Sequence, residues 1–245
     1  MRPRSILVTL AATVLTFGSA VSTVSAGASA SVRPAAVPGL PGFDISGAQS
    51  DIDWGAAAAN GAKFVFITAT EGTTHQYPNV GRLSAGAHGA GLVTGATHFA
   101  LPDASGGAAQ ADYFAAHGGA WSADHQTLPG TLDIEYNPYG ATCYGLSQSA
   151  MAGWISDFTA EYHARTGRWA IIYTTASWWN TCVGDGGAFG AKDPLFVAGY
   201  AGTPTLPAGW STYTFWQYAG SGVFPGGQDV FNGTAAALTA LADNT

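Results

Sequence analysis

The sequence is short of charge. Asp, Glu, Lys and Arg make up 9% of its 245 residues, where a soluble domain ordinarily carries about a quarter. Its surface must therefore be built from Ser, Thr, Asn, Gly and Ala. The shortage is worst for cations: eight Lys and Arg face fifteen Asp and Glu, a net charge of −7. Such a chain cannot hold nucleic acid by counterion release, so no nucleic-acid partner is expected. Nor is it drawn electrostatically to an anionic cell wall, and binding to such a wall must come from a cleft. Cysteine is scarce too, with only Cys143 and Cys182. No His stands at ligand spacing from either, which argues against a zinc site. In a secreted chain an even pair suggests one disulfide. No GxGxxG turn occurs, which disfavours a dinucleotide-binding fold.

Long apolar runs are missing beyond the N-terminus. There, Arg2 and Arg4 precede an apolar stretch from Ile6 to about Val21, followed by Val24-Ser25-Ala26 and Ala28-Ser29-Ala30. The stretch is short and broken for a membrane span, and the three regions together fit a secretory signal peptide over residues 1–30. Its removal takes the net charge from −7 to −9. Residues 31–40, rich in Pro and Ala, read as a disordered or processed lead-in. Residues 41–245 are enough for one sizeable core. The expected product is secreted, extracellular, free of the membrane after signal cleavage, and monomeric.

What the sequence has in quantity is short apolar, β-branched and aromatic runs: Gly42–Ser46, Lys63–Thr70, Leu92–Phe99, Gly130–Tyr136, Trp169–Thr175, Leu195–Tyr200 and Tyr213–Tyr218. Several are almost continuously apolar, as strands are when both faces are covered. Helices are expected between the earlier ones, at Asp53–Asn60 before Gly61, at Ser105–His117, and at Ser147–Thr166 before Gly167. In the last, Met151, Trp154, Ile155, Phe158 and Tyr162 share one stripe. Strand and helix alternate for five units, after which the helices mostly disappear. Alternation implies parallel strands. Seven or eight of them predict a single α/β domain, a TIM-like (β/α) barrel with fewer helices than strands in its C-terminal half.

A barrel gathers its active site at the C-terminal ends of its strands. The polar residues at those ends are Asp44, Thr70 and Glu71, His98, Asp133 and Glu135, Tyr173, Tyr200, and Trp216 with Gln217. Asp133 and Glu135 are the sharpest pair. Side chains alternate along a strand, so both face the same way while Ile134 points behind. Two carboxyls this close in a partly dry pocket cannot both ionise cheaply, so one should keep its proton near neutral pH. A protonated acid beside a charged one suits cleavage of a glycosidic bond. Glu135, nearer the strand end, is the candidate proton donor. A structural hydrogen-bonding pair is the alternative reading, as is a loop-capping role for Asp44 and an interior role for His98. Aromatics concentrated in the second half, among them Trp178, Trp179, Tyr200, Tyr213, Trp216 and Tyr218, divide between core and sugar-stacking surfaces.

The stretches GFDIS with Gln49, FITATEG, GATHFALP, AQADYFAAHGG, LPGTLDIEYNP, CYGLS, IIYTTASWWNTC, TFWQYAGSG and VFNGT resemble, in order and spacing, the Chalaropsis-type lysozymes of glycoside hydrolase family 25. The resemblance runs from Gly42 to the C-terminus. It implies a barrel that hydrolyses the β-1,4 linkage between N-acetylmuramic acid and N-acetylglucosamine of peptidoglycan, without metal or cofactor. It implies Glu135 as acid/base, Asp133 as stabiliser of the reacting centre, by way of the substrate's N-acetyl group, and Asp44 as the supporting first-strand acid. It also implies a Cys143–Cys182 pair. Substrate contacts are expected, from their places at the strand ends, at Tyr200, Trp216, Gln217, His98 and Tyr173.

The sequence departs from that family's pattern in the cleft. Gly47 and Ala48 stand where bulky aromatic or His residues are usual, Thr68 where Lys is, Thr97 where Tyr is, and Leu101 where Arg is. Tyr200 replaces a frequent Trp, with Gly199 beside it. Gly227 stands where an Asp is common, while Asp229 lies two residues on. Three functions follow as expectations: a muramidase, a hydrolase of another N-acetylated glycan, or a weakly active or non-catalytic wall-binding relative. The fuller chitinase pattern D-x-x-D-x-D-x-E is absent.

Overall fold

The computed structural model describes residues 37–49 and 51–245. The expected signal peptide and most of the lead-in lie outside the described residues. The strands are β1 (Leu40–Ser46), β2 (Phe64–Glu71), β3 (His75–Gln76), β4 (Val93–Phe99), β5 (Thr131–Asp133), β6 (Ile171–Thr175), β7 (Leu195–Ala198), β8 (Phe215–Ala219) and β9 (Gly227–Phe231). The helices are α1 (Trp54–Ala59), α2 (Val80–Gly89), α3 (Gly107–Phe114), α4 (Gln148–Thr166), α5 (Ala176–Cys182) and α6 (Ala235–Asp243).

Eight strands close into a barrel. From β1 through β2 and β4 to β8 each pair is parallel. β9 runs antiparallel to both β8 and β1 and shuts the ring. β3 is a two-residue hairpin return on β2. The expected parallel barrel is thus present with one reversed strand. The reason is the connection: only residues 220–226 join β8 to β9, too few for a crossover helix, so the chain must turn straight back. The register begins at Leu40, opposite Phe231, and Val37 packs on the outer cluster of Leu195, Val197, Trp216 and Val230. The folded unit therefore starts slightly before residue 41.

The barrel interior has two zones. Phe64, Phe66, Phe196, Phe215 and Phe231 plug its lower part. Some of their rings meet edge to face, as in Phe66–Phe215 at 4.9 Å and 88°, an arrangement the aromatic quadrupole favours, and others are tilted, as in Phe66–Phe196 at 38°. Polar side chains occupy the upper part. Outside, α4 lays Met151, Trp154, Ile155, Phe158 and Tyr162, all buried, against the sheet and α3. Its ends are set locally. The Ser147 side chain accepts from the Ala150 N–H, and Gly167 takes the left-handed conformation at φ 74°, where a Cβ would be strained.

Cys143 and Cys182 form a disulfide across 39 residues of sequence. It ties the loop after β5 to the last residue of α5.

Asp193 is a polar residue that burial leaves stranded. It is 1% exposed, and neither carboxyl oxygen has a hydrogen-bond partner. Burial pushes its pKa up to about 7, against a smaller opposing pull from Lys192. The folded state thus holds a proton that the unfolded chain releases near 3.8. A folded pKa raised in this way makes the native state lose stability as pH climbs from about 4 to about 7. Asp193→Asn should therefore leave Tm nearly unchanged below pH 4 and raise it at pH 8. Calorimetry at the two pH values reads the difference, and equal shifts at both would contradict this account.

Candidate active site

The mouth is built by strand alternation. On β5, Thr131 and Asp133 point into the barrel while Leu132 and Ile134 are buried in the outer core. Glu135 lies two residues beyond the end of the strand and still faces inward, because the Ile134 N–H donates to the Tyr173 carbonyl at 3.0 Å and extends the pleat. Asp44, Ile45, Phe66, Thr68, Thr97, Thr131, Asp133, Glu135, Tyr173 and Phe196 line one cavity of about 150 Å³. At about 30 Å³ per water, that is room for a few waters, or for reacting atoms with one water beside them.

The acids in this mouth perturb one another. Burial, then Glu135, then Asp44 hold the Asp133 carboxyl well above the ordinary range. Burial and then Asp44 raise Glu135. Asp44 is also raised by burial, against the lowering hydrogen bond from Gln217. Asp133 is pushed up the harder of the two, with the charge of Glu135 among the causes. A carboxyl that keeps its proton can donate it, or donate a hydrogen bond, to a bound group.

A hydrogen-bonded chain leads to Asp44. Gln217 Nε2 donates to Asp44 Oδ2 at 2.5 Å. The other end of the same amide, Oε1, accepts from Tyr173 Oη at 3.0 Å and Tyr200 Oη at 2.6 Å. Four of the residues singled out in the sequence are thereby joined, with Tyr200 63% exposed at the rim. Tyr136 and Tyr139 stand exposed beyond Glu135. Tyr139 Oη donates to Glu71 Oε1 at 2.7 Å across the mouth.

Two of the expected contact residues are elsewhere. His98 is fully buried outside the barrel, between Thr70 at 2.7 Å and Gln110 at 2.9 Å, and stacked on Phe158. Burial lowers its pKa to about 4, so it stays neutral. Trp216 follows the interior Phe215 and so faces outward, its indole N–H donating to the Gly199 carbonyl at 2.8 Å. Both sit one residue out of phase with the interior of their strands. Trp178 and Trp179 are also core.

Asp229, two residues beyond the position where the family pattern carries an acid, is an interior residue of β9. It is fully buried, neither carboxyl oxygen has a hydrogen-bond partner, and burial and then the nearby Asp44 charge hold it well above the ordinary carboxylate range. Tyr144, within CYGLS, carries no sequence signal of its place beside the acids. It follows Cys143, sits at φ 57°, and its buried hydroxyl has no partner. Burial and the nearby Asp133 and Glu135 raise its pKa.

The structure also explains two departures in the cleft. A Cβ on Gly227 would lie 1.9 Å from Asp44 Oδ2 and 2.6 Å from Gln217 Nε2. The space of a side chain there is taken by the Asp44–Gln217 pair itself. At Gly47 a Cβ would lie 2.2 Å from the Thr68 carbonyl oxygen and 2.6 Å from Tyr77 Cβ, so Tyr77 fills that corner. Gly227→Ala should displace Asp44 and lower kcat on a glycan substrate by ten-fold or more, on the order expected when a positioned group shifts by an ångström. Steady-state kinetics with a matched Tm would test this, and an unchanged kcat would contradict it.

Inward-facing acids at the strand ends of a closed barrel, next to a small cavity, are the equipment of a glycoside hydrolase. Comparison with known proteins agrees: the family described as Glycosyl hydrolases family 25 matches residues 43–227, and the chain belongs to that family. It is 50% identical over 220 residues to Lysozyme M1 of Streptomyces globisporus, covering 87% of this chain and 75% of that one. It is 44% identical over 208 residues to the N,O-diacetylmuramidase of a Chalaropsis species, covering 83% and 99%. The crystal structure of the bacterial lysozyme from Streptomyces coelicolor superposes with a TM-score of 0.81 at 50% identity, covering 84% of this chain and 98% of that one.

Proposed function

We propose that the protein is a secreted lysozyme that hydrolyses the β-1,4 bond between N-acetylmuramic acid and N-acetylglucosamine in peptidoglycan. The observation that carries the reading is the pair Asp133 and Glu135 facing one cavity with raised pKa values. Relatives named lysozyme and N,O-diacetylmuramidase at 44–50% identity support the substrate. The N-terminal pattern from Arg2 to Ala30 supports export.

In this reading protonated Glu135 gives its proton to the glycosidic oxygen as the C1–O bond breaks. Positive charge develops at C1 and is met by the carbonyl oxygen of the neighbouring N-acetyl group, which Asp133 orients and stabilises. Water then attacks C1 and returns a proton to Glu135. Asp44, fixed by Gln217, keeps negative charge beside the pair and so holds the Glu135 proton in place. Tyr200, Tyr136 and Tyr139 offer flat apolar faces to sugar rings at the rim.

Incubation with purified bacterial wall should clear the suspension and release new reducing ends. Binding without released ends would favour a non-catalytic wall-binding protein. Release from chitin but not from peptidoglycan would favour a hydrolase of another N-acetylated glycan.

A further inference from the structure

Asp229 is the one fully buried acid at the mouth for which the mechanism above has no use. It projects inward from β9, two residues from Gly227 and opposite Gln217 in the register. No N–H or hydroxyl donor reaches either of its oxygens. The group it faces is the Asp44 carboxyl, whose nearby charge raises it after burial does. Two carboxyls can share a hydrogen bond only if one of them carries a proton. Asp44 already accepts from Gln217 Nε2, which favours its ionised form. Asp229 has no such donor and is the more deeply buried of the two.

We propose that Asp229 is a positioning residue that stays protonated and donates a hydrogen bond to Asp44, fixing the charge and place of the first-strand acid. The inference rests on the reading of Asp44, Asp133 and Glu135 as the reacting constellation. Asp44 is then clamped from both sides, by an amide of β8 and by a carboxylic acid of β9. The bare backbone at Gly227 leaves the room for this clamp, because a side chain there would strike Asp44 Oδ2. The titratable groups that face Asp229 are Asp44 from β1, Tyr218 from β8 and Tyr200 from the loop after β7. None of them carries positive charge, so none would draw the proton off Asp229.

The test compares two substitutions of similar size. Asp229→Asn keeps a donor, its amide N–H, toward Asp44. Asp229→Leu removes it. With the donor gone, the ionised form of Asp44 loses a stabilising bond and its pKa rises. The acidic limb of the kcat profile on peptidoglycan should therefore move to higher pH in Asp229→Leu, with kcat at neutral pH reduced about ten- to hundredfold and KM little changed. Asp229→Asn should keep the wild-type acidic limb and kcat within a few-fold. A limb that does not move in Asp229→Leu, or an Asn variant as impaired and shifted as Leu, overturns the proposal. ¹³C NMR titration of the Asp229 carboxyl in the wild-type protein gives a readout independent of turnover. A protonated Asp229 at pH 7 is expected, and an ionised one overturns the proposal even if the enzyme is active. Should Glu135→Gln prove fully active, the catalytic reading fails, while the NMR titration still decides the protonation of Asp229.

Discussion

Replacing Glu135 by Gln should lower kcat on peptidoglycan by about 10²–10⁴-fold, the range general acid catalysis contributes, with little change in KM or in Tm. Gln keeps the shape and a hydrogen-bonding oxygen but has no proton to give at C1–O cleavage. The native carboxyl is raised by burial and by Asp44. Its acid form therefore persists above the pH at which an ordinary glutamate ionises, and activity should fall as pH climbs through that raised pKa. In Asp44→Asn the negative neighbour is gone, so the Glu135 pKa should drop and the alkaline limb should move to lower pH. Kinetics across pH with the three proteins would read both effects. A Gln variant that keeps more than a tenth of wild-type kcat would remove Glu135 from the acid role.

The second large effect concerns the disulfide. Cys143 lies in the loop that follows the strand bearing Asp133 and precedes Tyr144, a left-handed residue beside the acids. A cross-link closing a loop of 39 residues stabilises by about 4 kcal/mol in the chain-entropy model. At about 2–4 °C per kcal/mol for a domain of this size, Cys143→Ser with Cys182→Ser should lower Tm by about 8–16 °C. Left-handed backbone at a bulky residue costs about 1–2 kcal/mol, and without the cross-link that conformation loses support. Loss of activity should therefore precede global unfolding on heating. Paired thermal-inactivation and calorimetric scans would show it. A Tm within about 2 °C of the wild type would contradict the account.

Much of the barrel was legible because its signals are local. FVFI at 64–67 and LFVA at 195–198 are continuous apolar runs, and both are strands covered on two faces. Ser147 and Gly167 mark the ends of α4 by chemistry that needs no tertiary partner. Other elements are made by their neighbours. α2 contains three glycines, and its helix is held by Val80, Leu83 and Ala87 against the core. Its Gly86 is needed where the Trp54 indole approaches, since a Cβ would lie 2.3 Å from Nε1. β9 pairs with strands at both ends of the barrel sequence, and its five residues GQDVF carry no alternation of their own to announce it.

The site divides in the same way. Asp133 and Glu135 could be paired from the sequence because a two-residue spacing on a strand puts them on one face. The same alternation, applied to GATHF, assigns Thr97 to the interior and His98 to the outside, and in FWQ it assigns Gln217 inward and Trp216 outward. Reading the phase from the interior Phe residues would have separated them. Asp229 was out of reach, since its partner Asp44 is 185 positions away in the chain and their contact depends on barrel closure.

The central claim is that the acids at this mouth cut the bond on the C1 side of N-acetylmuramic acid. Borohydride reduction of a wall digest followed by mass analysis tests it most directly. The account predicts reduced muramic acid at the new ends with the wild-type enzyme and none with Glu135→Gln. Reduced glucosamine ends, or equal release by the Gln variant, would contradict it.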